Sequence, residues 1–334
     1  MDWMLKPRFS RSPITVSHGQ KIFSIGSCFT EHIGSALADL KFSVLQNPSG
    51  ILFDPHSVCY SLDAFMRNDE VQEKDLVQIG EVWHSWHHHS RFSGTDAATV
   101  VQNINAATAA AHRFLKDASW LLITLGSSFS YRIQPGTAAN TPAFTAVANC
   151  HRAPAAWFQK HLLTIDETIS ALDNTLHRCF RFNPALNILF TISPVRHIRD
   201  GVVENNRSKA RLIEAVHHLV NKFDRLYYFP AYELVIDVLR DYRFYDVDLV
   251  HPNYAATQAV LEEFCALFMD DATRQLCEQI KPLVTAARHR PSFPETQLHQ
   301  NFLKAQWAKA TALQAAHPEI DLSVEINTFS TAIQ

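Results

Sequence analysis

Two short stretches of this chain hold the side chains best suited to covalent chemistry. The first is Gly26-Ser27-Cys28-Phe29-Thr30-Glu31. It sets a hydroxyl and a thiol at a turn between the apolar run Ile22-Phe23-Ser24-Ile25 and the helix-patterned Ile33, Ala36, Leu37 and Leu40. A strand that stops at glycine and turns straight into a helix presents the next side chains at the carboxyl edge of a sheet, beside the positive helix end. The second stretch is Asp248-Leu249-Val250-His251-Pro252-Asn253, ahead of a helical run over residues 254–268. In Asp248-x-x-His251 the carboxylate can meet one ring nitrogen while the other faces a proton to be moved. Together the stretches supply a nucleophile, a base and an orienting carboxylate. The non-chemical alternatives are a buried thiol beside a capping serine, and a surface loop with an incidental Asp and His.

Those residues need a scaffold, and the middle of the chain alternates strand and helix. Short apolar runs at residues 21–25, 43–45, 120–125, 187–192 and 226–229 read as strands buried on both faces. Helical patterns lie between them: the Ala-rich residues 97–116, residues 168–182 headed by the capping box Thr164/Glu167, and residues 204–223. This alternation predicts a three-layer α/β/α sandwich around a mainly parallel sheet, flavodoxin-like in architecture. In such a sheet the loops after the strands share one rim. That rule gathers Ser27/Cys28, residues 47–50, Gly126 to Ser128, residues 193–197 and Asp248/His251.

Two segments depart from the repeat. Residues 78–93, dense in Trp and His, predict a hairpin or loop over the sheet edge. Residues 130–157, with Pro135, Gly136, Pro142 and Pro154, predict a long irregular connection, and either can wall a pocket. A last helix near residues 295–315 and an acidic-apolar tail complete the chain. The expected division is an α/β domain over residues 1–290 and a helical extension packed on it over residues 291–334.

Composition sets broad bounds. The 334 residues are 47% apolar and 19% charged, and 30 basic against 33 acidic side chains give no electrostatic case for nucleic acid or an anionic membrane. The start, Met1-Asp2-Trp3-Met4-Leu5-Lys6-Pro7-Arg8, does not read as a secretory signal, and no apolar run reaches membrane-spanning length. The six cysteines are scattered without CxxC pairs, so the expectation is a cytoplasmic protein with neither a disulfide scaffold nor a zinc ribbon.

The segments Gly26-Ser27-Cys28-Phe29-Thr30, Asn47-Pro48-Ser49-Gly50-Ile51-Leu52, Trp83-His84-Ser85-Trp86, Val147-Ala148-Asn149-Cys150-His151, Ser193-Pro194-Val195-Arg196-His197 and Asp248 to Asn253 resemble, in order, the GSCFA family. That family is a branch of the SGNH (GDSL-like) hydrolases. The resemblance runs from about Phe23 to the last helix and implies an SGNH-hydrolase-like fold with acyl-transfer chemistry. GDSL-type enzymes carry Gly-Asp-Ser at this turn, and ungapped register places Cys28 at the nucleophile position. A one-residue shift restores Ser27. A cysteine at a helix N-terminus beside histidine is expected to have a depressed pKa.

Oxyanion donors are expected from the nucleophile turn and from Gly50, where backbone can approach a substrate. The superfamily's usual third donor is an Asn in a Gly-x-Asn turn. Here that turn is Gly126-Ser127-Ser128, so Ser128 stands where the Asn belongs, and Asn149 is a possible substitute or simply a turn former.

Three consecutive histidines, His87, His88 and His89, cannot all face one point, so no metal is expected. His84, Trp86 and Arg91 are instead expected to line the cleft, with the other histidines hydrated. Arg196, His197, Asn205, Asn206, Ser208 and Lys209 form a polar set that either holds a polar substrate or caps a helix.

The expected activity is that of an esterase-type acyl hydrolase working through a covalent acyl-enzyme without a cofactor. Its substrate would be a small polar ester such as an O-acylated carbohydrate. An acyltransferase with the same site and a catalytically inactive binding protein are the alternatives, since fold alone does not separate them.

Overall fold

The structure is a computed structural model that describes residues 5–138, 141–142 and 144–331. The stretch 1–4 read for a targeting signal, residues 139, 140 and 143 of the expected irregular connection, and the tail end 332–334 lie outside the described residues.

Among the described residues the strands are β1 Lys21–Gly26, β2 Ser43–Gln46, β3 Val77–Ile79, β4 Val82–His84, β5 Trp120–Leu125, β6 Phe129–Ile133, β7 Ala146–Val147, β8 Phe158–Leu162, β9 Asn187–Ile192 and β10 Leu226–Tyr228. The helices are α1 Cys28–Asp39, α2 Pro55–Arg67, α3 Ala97–Lys116, α4 Ile165–Phe182, α5 Val202–Lys222, the single turn α6 Ala231–Glu233, α7 Tyr254–Phe268, α8 Asp271–Arg288, α9 Gln297–Ala316 and α10 Ser323–Thr331. No described helix is long and apolar enough to cross a membrane.

The central sheet has five strands in the order β10-β9-β5-β1-β2. The pairs β1/β5, β5/β9 and β9/β10 are all parallel. Alternate side chains Phe23 and Ile25, Leu121 and Ile123, and Ile188 and Phe190 enter one core with residues of α2, α3, α4 and α5. The intervening Ile22, Trp120 and Leu189 are buried as well, so the strands read as continuous apolar runs because both faces of the sheet are covered. The chain thus has the expected α/β fold, a mainly parallel central sheet flanked by helices with further helices at the C-terminal end.

Residues 78–93 open with the expected hairpin, β3 paired antiparallel with β4 across Gly80. Residues 130–157 differ from expectation. They are not an irregular loop but carry part of a three-stranded antiparallel sheet in the order β7-β6-β8. The prolines punctuate the turns, while Ile133, Val147 and Phe158 meet Trp86 in a small core of their own.

By compactness the chain divides into two units. The described residues of the first are 5–8, 21–34, 45–138, 141–142 and 144–261, and those of the second are 9–20, 35–44 and 262–331. The second has its own core of Leu276, Ile280, Leu283, Leu303, Ile320, Leu322 and Phe329 from α8, α9, α10 and the turn before α10. Part of the apolar tail is therefore helix α10, packed inside this unit. Lys41 and Glu325 form a largely buried ion pair there at 2.7 Å.

Candidate active site

The turn between β1 and α1 is built around a glycine that no other residue can replace without strain. Gly26 has φ +145°, and a Cβ on it would lie 2.2 Å from the Thr124 carbonyl oxygen of β5. Its N–H donates to Asn47 Oδ1 at 2.9 Å, and its carbonyl accepts from Leu52 N–H at 2.9 Å. Ser27 N–H still donates to Thr124 O at 3.1 Å, so the ladder holds Ser27 and releases the chain at Cys28, the first residue of α1.

The two candidate nucleophiles have different surroundings. Ser27 is 3% exposed, and its hydroxyl is buried with no hydrogen-bond partner among the described residues. Cys28 is half-buried and reaches the surface. Its thiol was expected to be acidified by the helix end, and the structure corrects this. Burial pushes the Cys28 pKa above its ordinary 9.0, and Glu31 adds to the rise. The N–H groups of Phe29 and Cys28 and the charge of Lys209 only partly oppose it. At neutral pH this thiol keeps its proton and needs a base.

The candidate base sits in a tightly bonded loop. Asp248 Oδ1 accepts from the N–H groups of Val250 and His251 at 2.9 and 3.0 Å, a side-chain turn that closes the loop on itself. Asn253 donates to the carbonyls of Arg243 and Tyr245 and accepts from Ala256 N–H, tying the loop to the start of α7. In this frame His251 Nδ1 donates to Asp248 Oδ2 at 2.5 Å, since a carboxylate can only accept. The N–H groups of His251 and Val250, then the ring, hold the Asp248 carboxyl down at about 2. His251 Nε2 has no hydrogen-bond partner among the described residues, and the side chain is half exposed. No hydrogen bond among the described residues joins His251 to Cys28 or Ser27. Arg196 N–H donates to Val250 O at 3.4 Å, so the loops of residues 193–197 and 248–251 are neighbours.

The expected oxyanion donors are mostly committed elsewhere. Gly50 N–H donates to Asn47 O at 2.7 Å, and Gly50 is a glycine because a Cβ there would meet the His89 side chain at 2.1 Å. Gly126 N–H and Ser127 N–H both donate to Phe53 O, at 2.8 and 2.9 Å. Ser128 is fully buried, its N–H donating to Ser208 Oγ at 2.8 Å and its hydroxyl to Ser208 O at 3.1 Å. Asn149 donates to Ser90 Oγ at 3.2 Å and accepts from His151 N–H at 2.9 Å, which is the geometry of a turn-forming Asn.

The Trp/His segment is more structural than expected. Trp86 is 3% exposed and donates to Thr141 Oγ1 at 3.0 Å. His88 is not hydrated: it is buried against Ser85 Oγ at 2.8 Å, and burial pushes its pKa down to about 3. His87 stacks on Tyr60 with ring centres 3.6 Å apart, and burial pushes it down to about 4. His84 bonds Ser93 Oγ at 2.7 Å and stacks on His151. Arg91 does reach the rim of the nucleophile turn, donating to Asn47 O and pairing with Glu31 at 3.5 Å.

Two residues matter more than the sequence reading allowed. Asn47, fully buried with φ +44°, braces the nucleophile turn through Gly26. Lys209, also fully buried, donates to Gly126 O and Ser193 O, both at 2.6 Å, and so links the ends of β5 and β9 beneath the rim. Burial pushes its pKa down to about 7. Of its polar companions, Asn205 accepts from His197 N–H at 2.9 Å and Ser208 serves Ser128, so this set holds the rim together from below. A helix-borne lysine four residues after a buried Asn was the available signal, but a single sequence does not show which lysine points inward.

Comparison with known proteins follows from this geometry. Residues 21–264 match the GSCFA family, and residues 280–334 match the GSCFA domain protein, C-terminal domain. The chain belongs to the GSCFA family. No curated protein matches it. Among solved structures it is similar to a protein from Streptococcus pneumonia assigned as a platelet activating factor, with 12% identity and TM-score 0.40 over 74% of this chain and 83% of that one. A carbohydrate esterase family 3 protein from Talaromyces cellulolyticus gives 9% identity and TM-score 0.35 over 79% of this chain and 99% of that one. The acetyl xylan esterase Est2A from the rumen bacterium Butyrivibrio proteoclasticus gives 10% identity and TM-score 0.36 over 75% of this chain and 64% of that one. Likenesses this distant do not bear on what this chain acts upon.

Proposed function

We propose that this chain is an esterase-type acyl hydrolase of the SGNH kind that works through a covalent acyl-enzyme on Cys28. What supports the reading is a partly exposed cysteine at the strand-to-helix turn together with an imidazole locked by a carboxylate on a loop that adjoins residues 193–197. In the first half-reaction His251 Nε2 takes the thiol proton and sulfur attacks the ester carbonyl. The tetrahedral intermediate then expels the alcohol, which receives that proton from His251. In the second, His251 activates water, which attacks the thioester and releases the acid. Asp248 keeps Nδ1 protonated throughout and favours the imidazolium that forms.

The substrate class is a small polar ester, an O-acylated carbohydrate being the best fit. Arg91 and Arg196 stand near the rim, and the aromatic Trp86 is withdrawn into the core rather than offered to a long lipid chain. The test is turnover of p-nitrophenyl acetate by single variants. Cys28→Ala is expected to lose at least about 10³-fold in kcat, the scale seen when a covalent nucleophile is removed, whereas Ser27→Ala keeps most of it. The reverse pattern would move the nucleophile to Ser27, and two fully active variants would end the covalent reading.

A further inference from the structure

We propose that His197 supplies the side-chain oxyanion donor of this site, in the place where the Gly-x-Asn turn of related hydrolases has given way to Gly126-Ser127-Ser128. The inference rests on the acyl-enzyme reading above and names the group that stabilises its tetrahedral intermediate.

Three observations meet at one point. A Cβ on Gly126 would lie 3.4 Å from both His197 Nε2 and the Ser27 Cβ and 2.9 Å from the Phe53 Cβ, so only a glycine there lets the imidazole come up close to the β1–α1 turn. On that turn the Ser27 hydroxyl is buried with no partner among the described residues, an expensive state that an oxygen from another molecule would relieve. The backbone N–H groups of Gly50, Gly126 and Ser128 are already spent within the fold, whereas no ring nitrogen of His197 has a partner among the described residues.

The ring is also placed firmly. His197 N–H donates to the buried Asn205 Oδ1 at 2.9 Å, and the imidazole packs against Phe53 with ring centres 5.5 Å apart. Burial, then the charge of Lys209, pushes its pKa down to about 4, so at neutral pH the ring is a neutral N–H donor rather than a cation. In the reaction sulfur bonds to the carbonyl carbon and the carbonyl π pair moves onto oxygen. That oxyanion accepts hydrogen bonds from the Cys28 N–H and from Nε2–H of His197, and both return to the carbonyl when the alcohol leaves. His197 neither gains nor loses a proton.

The test is single-turnover acylation by p-nitrophenyl acetate, read as acetyl on the Cys28 peptide. His197→Ala is expected to slow acylation by ~10²–10³ with little change in the ester concentration needed for half-saturation. His197→Gln, which keeps an N–H donor but cannot act as a base, restores a large part of the rate. His197→Phe keeps the contact with Phe53 without a donor and should be as slow as the alanine variant, so it decides the matter if His197→Ala fails to fold by circular dichroism. Wild-type rates in the Ala or Phe variant, or a Gln variant as slow as both, overturn the proposal. A wild-type chain that never carries acetyl on Cys28 overturns the parent reading, and this one falls with it.

Discussion

With His251 replaced by alanine, acylation of Cys28 at neutral pH is expected to slow by ~10²–10⁴, the contribution of a well-placed general base. The size of the effect follows from the thiol's environment. A cysteine acidified by its helix would attack unaided, but here burial raises the Cys28 pKa above 9.0 and outweighs both the local N–H groups and Lys209. Nearly all of the sulfur is therefore protonated at pH 7, and the imidazole that Asp248 orients at 2.5 Å has to take that proton. The variant should recover as pH rises, because hydroxide takes over deprotonation, and its rate should still be climbing above pH 9. Measuring acylation from pH 6 to 10 in both proteins checks this. A variant with wild-type rates at pH 7 would remove His251 from the mechanism.

Replacing Lys209 by methionine is expected to destabilise the fold more than any other conservative change beneath the site. Methionine fills much of the same volume but leaves the carbonyls of Gly126 and Ser193 without donors, at a cost of about 1–3 kcal/mol for each buried group. The loss should grow with pH. Burial lowers the folded-state pKa of Lys209 to about 7 from an ordinary 10.5, so between those values the unfolded chain binds more protons than the folded one. Wild-type stability therefore gains from this group as pH rises through that window, and the gain is lost as pH falls toward 7. A neutral amine keeps two N–H bonds, enough for both carbonyls, so deprotonation leaves the link intact. Urea unfolding of both proteins at pH 7 and pH 9.5 should show the stability gap widening at the higher pH. A gap that narrows or stays constant would mean that Lys209 remains charged in its site.

Periodicity and turn chemistry made much of the scaffold legible. The strands β1, β5 and β9 announce themselves as short, mainly apolar runs because both of their faces are covered, and α4 declares its start through Thr164 and Glu167. The Trp- and His-dense residues 78–93 left a hairpin or a loop open, and the hairpin β3/β4 is what forms at their start. The antiparallel strands β6, β7 and β8 were hidden because β7 is two residues long and the prolines around it mimic an open loop. Helix α2 carried an unread signal, Asp54 capping Ser57 N–H with Pro55 at the first turn. At the site, residue types and spacing point to Cys28, Ser27, Asp248 and His251. Burial is not written in spacing: Ser27 sinks to 3% exposure while its neighbour stays partly exposed, and His88 goes into the protein although its sequence neighbours are polar. The burial that raises the thiol pKa, and the carbonyls of Gly126 and Ser193 that hold Lys209, come from the folded surroundings, which a single sequence does not display.

The most direct test of covalent chemistry at the β1–α1 turn is peptide mass spectrometry of the protein after brief exposure to an activated acetyl ester, quenched in acid, with His251→Ala alongside. An acetyl group on Cys28 that is strongly diminished in the variant is the predicted result. Acetyl on Ser27 would contradict the choice of nucleophile, and no acetyl on either residue under conditions where the ester is consumed would contradict the acyl-enzyme itself.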